Sequence, residues 1–387
     1  MQIGAYEFNL RELSGAMGDF GTLIPLAIGY IVVCGLNPSG LLVTIGLANI
    51  ITGLIYKLPM PIEPMKVLAV VAIAQGWTPS MVYASGFGMG IVWIIFALTG
   101  LMKHIARFTP KSVIRGIQVA LGGLLAIEAL KMVSDFWLLG IISVIVILLL
   151  RNNRYMPAAV TLVVLGIAIM YFRGDLTDLS GLEYSLPSMT FFKPIEVWET
   201  MLLAGFAQIP LTATNAVIST SSLINSYFPG RSVGEGRLSL NMGLMNILFP
   251  FLGGMPLCHG AGGLAGQYYF GARTGGANII EGMIEIAMGI LLATSIAGLF
   301  ALFPMAIIGA MMFMVGIELI KFSRDVSLNW NMIVLAVTVL VSVLTNMAFG
   351  FLAGLAVYYM ITFYISRTMK KQANDDTVEL KKNKPVE

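Results

Sequence analysis

Two stretches of this chain hold residue types that a lipid-facing helix has no use for. Residues 255–276, MPLCHGAGGLAGQYYFGARTGG, carry seven glycines after Pro256, and residues 58–66, LPMPIEPMK, carry three prolines. Hydrocarbon penalises every unsatisfied backbone amide, so an irregular backbone at membrane depth belongs where it lines a buried site. Pro61 and Pro64 lack amide donors and bias the residue before each away from helix. That predicts an extended run over 58–63 and a helix starting near Pro64 or Met65, with the amides of Met65, Lys66 and Val67 free. In the other stretch the spacing predicts an extended or turning run over 258–263 and a helix from about Gly263 through Gln267 to Phe270. Its free amides would lie near Gly260, Ala261, Gly262, Gly263 and Leu264. Two helix N-termini facing each other, each worth roughly half a positive charge, suit an anion. Two merely kinked helices packed through small residues are the plainer reading.

The side chains near these breaks bear on the choice. Lys66 follows the expected helix start, where an ammonium serves an anion, or else snorkels to the cytoplasmic surface. His259 either donates to an oxyanion or shuttles a proton, or is simply structural. Glu63 lies inside the extended run, where its ionised form would repel an anion; it should be neutral, paired with Lys66, or turned away. Asp19, in the glycine-flanked run Gly18-Asp19-Phe20-Gly21-Thr22, is the leading candidate for a coupling proton or cation, with capping of a half-helix as the plain alternative. Gln208 and Thr212, with Thr214 and Asn215, surround Pro210 and either line a cavity or bond between helices. Glu281 and Glu285 share one helical face and read as bundle- or oligomer-facing. Cys34 and Cys258 read as buried filler.

The elements that must position these residues are membrane spans. Of 387 residues 57% are hydrophobic and 11% charged, against roughly 25% charged in soluble domains. The residues at the start lack the pattern of a cleaved signal peptide. Apolar runs predict an all-α polytopic protein of about 14 spans: 13–34, 40–56, 58–74 (broken), 81–101, 112–130, 136–150, 156–172, 195–224, 238–252, 256–270 (broken), 277–299, 301–320, 331–344 and 349–365. With both termini cytoplasmic, the basic residues Lys103, Arg107, Lys111, Arg151, Arg154, Arg231, Arg237, Arg273, Lys321 and Arg324 fall on the inner side. The loop at 173–193, with Asp175, Asp178 and Glu183, falls outside.

The halves echo one another. Met60-Pro61 matches Met255-Pro256, the run FGTLIPL at 20–26 matches FAQIPL at 206–211, and Pro110 with Ile127-Glu128 matches Pro304 with Ile317-Glu318. Seven spans per half place the second copy inverted, so 1–172 and 194–366 are expected as a 7+7 inverted repeat. The 173–193 loop joins them and a polar cytoplasmic tail follows at 367–387. No serine–histidine–acid set, Walker loop, dinucleotide fingerprint or multi-histidine cluster is present; an enzyme, a cofactor, a metal and a nucleic-acid partner are not expected.

The runs Gly18-Asp19-Phe20-Gly21-Thr22, Pro59-Met60-Pro61, Pro64-Met65-Lys66, Arg115-Gly116-Ile117-Gln118, Cys258-His259-Gly260-Ala261-Gly262-Gly263-Leu264 and Gly271-Ala272-Arg273-Thr274-Gly275 resemble the molybdate-transporter family, related to the sulfate permeases. The resemblance implies a uracil-permease type fold and transport of a tetrahedral oxyanion. It also implies a substrate site between spans 3 and 10, lined by spans 1 and 8, and a core (spans 1–4 and 8–11) moving against a gate (spans 5–7 and 12–14). The substrate-binding set is then Pro64, Met65, Lys66, His259, Gly260, Ala261, Gly262, Gly263, Gln208 and Thr212, with Asp19 and Glu63 carrying the coupling proton or sodium. Molybdate is the expected substrate, membrane lipid the surroundings, and a homodimer an assembly this architecture often adopts. A sulfate transporter, an uncoupled anion channel and a scaffold without transport stay open as alternatives. The family more often has glutamine where this chain has Glu63, which bears on the anion and its protonation.

Overall fold

A computed structural model describes residues 2–101, 108–134, 136–150, 158–175 and 184–382. Lys103, Arg107, Arg151, Arg154, Asp178 and Glu183, used above to orient the chain, lie outside the described residues. Two short strands, β1 (Gln2–Ile3) and β2 (Tyr6–Glu7), lead into α1 (Leu10–Ala16), a 3₁₀ turn (Met17–Asp19) and α2 (Phe20–Val32). Then come α3 (Pro38–Tyr56), β3 (Glu63–Pro64), α4 (Lys66–Gln75), α5 (Pro79–Thr99), α6 (Lys111–Ser134), α7 (Trp137–Leu150) and α8 (Ala158–Arg173). The chain continues as α9, one helical rod over Pro194–Tyr227, and α10 (Glu235–Leu248). It ends with β4 (Leu257–Cys258), α11 (Ala261–Phe270), α12 (Gly276–Leu291), α13 (Ala293–Leu302), α14 (Met305–Lys321), α15 (Trp330–Leu344) and α16 (Met347–Lys382).

Six of these helices are long and apolar enough to cross a membrane: α3, α5, α6, α9, α14 with the turn that follows it, and the first two-thirds of α16. Proline and a polar cap start them where the sequence supplies both. Asn37 accepts from the Ser39 amide ahead of Pro38, and Thr78 caps α5 ahead of Pro79. α4 is only ten residues long, too short to span. Every residue of α4 from Val67 to Ile73 is buried, so it sits inside the bundle, as a helix apolar on all sides must.

Helix pairs cross where glycines let backbones meet. α3 crosses α12 at Gly46 and Gly282, α5 crosses α10 at Gly90 and Gly243, and α6 crosses α14 at Gly122 and Gly316. At the last crossing a methyl on Gly122 would stand 2.5 Å from the Gly316 carbonyl, and one on Gly316 would stand 2.7 Å from the Gly122 carbonyl.

Three expectations change. The run 277–299 is not one helix: α12 ends at Leu291, Leu292 leaves helical geometry at φ −126° and ψ 6°, and α13 folds back onto α2 and α3. No proline or glycine lies at 291–293 to announce this break. The next helix starts at Met305 rather than 301, directly after Pro304. The polar tail also continues α16 as far as Lys382.

Candidate functional site

The two broken segments cross as an antiparallel bridge in the middle of the bundle. Glu63 pairs with Cys258, Pro64 pairs with Leu257, and the Met65 amide donates to the Pro256 carbonyl at 2.9 Å. An extended backbone in a dry interior needs a partner for every polar group. Each segment finds some of its partners on the other and the rest on two asparagines. Asn278 on α12 accepts from the Met60 amide at 2.9 Å and donates to the Met60 carbonyl at 2.7 Å. Asn246 on α10 accepts from the Leu257 amide at 2.9 Å and donates to its carbonyl at 2.6 Å. Behind Asn278, Asn49 accepts from its Nδ2 and donates to Glu285, both at 2.9 Å. Glu285 and Glu281 are buried against the bundle, the latter bonded by Gln267 at 3.3 Å.

Both half-helices start at this crossing. α4 begins at Lys66, with Met65 as its cap, one to two residues later than expected, and α11 begins at Ala261, about two residues earlier. The expected trio of free amides on α4 is corrected. Met65 bonds across the bridge, and the Val67 and Leu68 amides donate to Gln208 Oε1 at 2.7 and 3.3 Å. Gln208 in turn donates to Thr212 Oγ1 at 2.5 Å. The side chain from α9 therefore caps α4, and the reason is a helix end buried without any cap in its own sequence. α9 carries two π-helical stretches, Met201–Gly205 and Ala213–Ser219, on either side of Pro210. Such widened turns in a proline-containing helix aim the intervening side chains differently from a regular helix. Thr214 returns its hydroxyl to the Pro210 carbonyl at 2.9 Å.

α11 is different. Its cap is Gly260, which has no side chain to bond the first amides. What lies against this end is the Glu63 carboxylate: a methyl on Gly260 or on Gly263 would collide with its oxygens. Glu63 is 1% exposed and Lys66, whose side chain is 19% exposed, reaches it at 2.8 Å. Of the expected alternatives for Glu63, the structure has the pairing with Lys66. Gly262, the second residue of α11, faces open space, with nothing within 4 Å of a methyl placed there. His259 is buried, with Nδ1 3.3 Å from the Pro61 carbonyl and its ring edge-on to Tyr56 at 5.9 Å. Its Nε2 has no hydrogen-bond partner among the described residues.

Glu63, Pro64, Met65, Lys66, Gln208, Thr212, His259, Gly260, Ala261, Gly262 and Gly263 thus converge on one place. Asp19 ends the 3₁₀ turn whose Gly18 packs on Gly266 and Gln267 of α11; its side chain lies outside the described ones. The run 271–276 has a separate job. Glu12 of α1 accepts from the Arg273 and Thr274 amides at 2.9 and 3.1 Å, and Arg273 lies 3.7 Å over the Tyr268 ring. Burial lifts the Glu12 carboxyl above its ordinary value, while those two amides pull it down. Arg115, singled out in its sequence run, grips Asp325 with Nε at 2.9 Å and Nη2 at 2.5 Å, tying α6 to the turn after α14. Sequence reading missed Asn49, Asn246 and Asn278. The available signal was an amide side chain inside an otherwise apolar span.

Among the described residues, cavities off the crossing include two of note. One, of about 410 Å³, is lined by Tyr56, Lys57, Arg231 and Arg237, and Leu58 at the start of the first broken segment also borders it. The other, of about 990 Å³, is an apolar groove among α5, α9 and α16, lined by Phe96, Phe206, Phe349 and Tyr359.

Two discontinuous helices meeting inside a bundle define the class, a multi-pass membrane transporter. The fold matches the transmembrane domain of a cyanobacterium bicarbonate transporter, BicA, with a TM-score of 0.64 at 18% identity, over 89% of this chain and 97% of that one. The family model described as "Molybdate transporter of MFS superfamily" matches residues 11–125 and 200–319, and the chain belongs to that family of transporters, which are not enzymes. All the candidate site residues fall within the matched stretches. Two similar relatives are from Arabidopsis thaliana. Molybdate transporter 1 is 29% identical, over 92% of this chain and 89% of its own length. Molybdate transporter 2 is 30% identical, over 90% and 87%.

Proposed function

We propose that this protein is a secondary active transporter of a tetrahedral oxyanion, with molybdate as the substrate. The observation that carries the reading is the crossing itself. The β3–β4 bridge brings the amide end of α11, the Lys66 ammonium and the open face at Gly262 together. It sets a cation and a helix N-terminus, both facing the Glu63 carboxylate, where a small dianion would need them. Lys66 and the amides of Ala261, Gly262 and Gly263 hold the oxyanion, and Pro64 and Met65 set the direction of α4. Gln208 and Thr212 fix the end of α4, and His259 presents Nε2 as a polar edge. The names of the plant relatives support molybdate over sulfate.

The chain works as a 7+7 inverted repeat with both termini cytoplasmic, its core (spans 1–4 and 8–11) moving against its gate (spans 5–7 and 12–14). The crossings support this arrangement: α3 on α12 and α10 on α5 are the pairs such a repeat relates to one another, and α6 on α14 relates to itself. Importing a dianion against an inside-negative potential costs about 4.6 kcal/mol per 100 mV, twice the single-charge figure. Uphill import therefore needs a proton or cation, carried at Asp19 or Glu63. Competition binding to purified protein tests the substrate: molybdate and tungstate should displace each other at micromolar concentration and sulfate only weakly. Binding of no oxyanion would end the reading, and sulfate equal to molybdate would move the assignment to sulfate.

A further inference from the structure

We propose that the cavity of about 410 Å³ between the end of α3 and the start of α10 is an anion site apart from the crossing, and that it takes a phosphomonoester. Three cations line it, Lys57, Arg231 and Arg237, and no aspartate or glutamate is among its lining residues. The ion pairs of the described residues are Lys66 with Glu63, Arg115 with Asp325 and Lys131 with Glu128, so none of these three cations belongs to one. Like charges gathered around one cavity repel. A bound anion offsets that repulsion.

The sequence builds the cavity from turns. α3 ends at Tyr56, and Lys57 caps it in the left-handed region at φ 57°, its amide donating to the Gly53 carbonyl at 3.0 Å. Gly230, at φ 81°, turns the chain between α9 and α10, and the Arg231 amide closes that turn on the Phe228 carbonyl at 3.0 Å. Arg231 Nη1 then donates to the Lys57 carbonyl at 3.3 Å, which ties the two turns together. The other donors of this guanidinium have no protein partner among the described residues, and a guanidinium has five in all. Arg237, in the first turn of α10, accepts from the Tyr56 hydroxyl with its carbonyl at 3.1 Å and holds its guanidinium carbon 5.9 Å from the Tyr56 ring centre. Ser232 adds a hydroxyl to the wall.

Two arginine forks and a lysine suit phosphate, which takes paired, charge-assisted hydrogen bonds. The volume lies within the roughly 300–1,000 Å³ of small-molecule pockets, and Ile55, Leu58 and Val233 give the organic part of the ligand an apolar wall. In the orientation proposed for the chain this face meets the cytoplasmic leaflet, where basic pockets between helices take phosphate headgroups. A lipid headgroup and a soluble phosphate ester present the same group to the same three cations. Tyr56 also meets His259 edge-on at 5.9 Å, so one ring separates this cavity from the crossing.

The experiment uses the full chain purified in neutral detergent, and two probes. Phosphatidic acid is set against phosphatidylcholine, with bound lipid counted by native mass spectrometry, and glycerol 3-phosphate is titrated at equilibrium. The test variant is Arg231→Gln with Arg237→Gln. Both side chains are exposed and the Arg237 carbonyl that holds Tyr56 is kept, so the melting temperature should stay near that of wild type. Wild type should hold one phosphomonoester per chain, and the double variant should bind it at least about tenfold more weakly. Binding of phosphatidic acid alone makes the occupant a lipid headgroup; binding of glycerol 3-phosphate in competition with it makes a soluble ester an occupant as well. Lys57→Gln keeps both arginines, should weaken the same probes severalfold, and decides the matter where the double variant is poorly folded. Molybdate affinity should be unchanged in all these variants. No preference for phosphatidic acid over phosphatidylcholine, together with no binding of glycerol 3-phosphate, overturns the proposal. Equal phosphomonoester binding by wild type and the folded variants also overturns it, as does a loss of molybdate affinity that matches the loss of the probes.

Discussion

Asn278 holds Met60 by both of its backbone polar groups, accepting from the amide at 2.9 Å and donating to the carbonyl at 2.7 Å. One side chain from α12 thereby does for the first broken segment what a neighbouring strand does in a sheet. Asn246 does the same for Leu257 in the second. The extended backbone beside the site is tolerated in a dry interior because of these two amides.

Replacing Asn278 by Leu leaves the Met60 amide and carbonyl without partners and strips Asn49 of a donor. Each orphaned buried group costs roughly 1–3 kcal/mol, so a loss of roughly 2–4 kcal/mol is expected. A melting curve in detergent should show a clear drop for Asn278→Leu and for Asn246→Leu. Ile279→Leu, next to Asn278 but outside this network, should melt close to wild type.

The glycines at the start of α11 are not equivalent. Gly263→Ala pushes a methyl into Glu63 and Pro61, so it should lower stability and disturb the bridge. Gly262→Ala meets nothing within 4 Å and should fold as wild type does. Its methyl would stand beside the amides of the proposed oxyanion site, so molybdate affinity should fall about tenfold if that site is right. Binding and melting measured on the same two preparations separate the effects.

Lys66 and Glu63 form a pair in which removing one partner leaves the other stranded. Breaking a buried pair costs about 3–5 kcal/mol, and the partial exposure of Lys66, at 19%, reduces that. Lys66→Met should therefore melt well below wild type. The double variant Lys66→Met with Glu63→Met should recover part of the loss, because neither member of this pair is then left charged without the other. Oxyanion binding should stay absent in both, since the ammonium is gone. Recovery of binding in the double variant would remove Lys66 from the site.

The breaks themselves were legible in the sequence because proline and glycine act locally: Pro61, Pro64 and Gly260 each dictate backbone within a residue or two of themselves. The convergence of the two segments followed from their matching order in the two halves. What could not be read is which amides are used up. Gln208 lies some 140 residues from Val67, and nothing near Val67 marks it as capped. The break at Leu292 was hidden too, since no proline or glycine at 291–293 marks it. Glu63 was recognised as an anomaly, but the sequence left three fates open for it. Its actual position, between Lys66 and the end of α11, depends on the bridge from Glu63 to Cys258.

The ion pair of Arg115 with Asp325 joins α6 to the turn after α14, with 22% and 46% of the side chains exposed. Pairs this exposed contribute about 1 kcal/mol or less. Asp325→Asn should leave equilibrium molybdate affinity unchanged and alter only the rate of transport, if anything. A matched set of binding isotherms and initial uptake rates checks this.

The most direct measurement is uptake of labelled molybdate by purified protein reconstituted in liposomes, with an inward proton gradient imposed and then collapsed. Saturable uptake at micromolar molybdate, blocked by tungstate, accelerated by the gradient and lost in Lys66→Ala, is the predicted result. Uptake that fails to saturate, ignores the gradient and persists in Lys66→Ala would contradict a coupled oxyanion transporter built on the crossed half-helices.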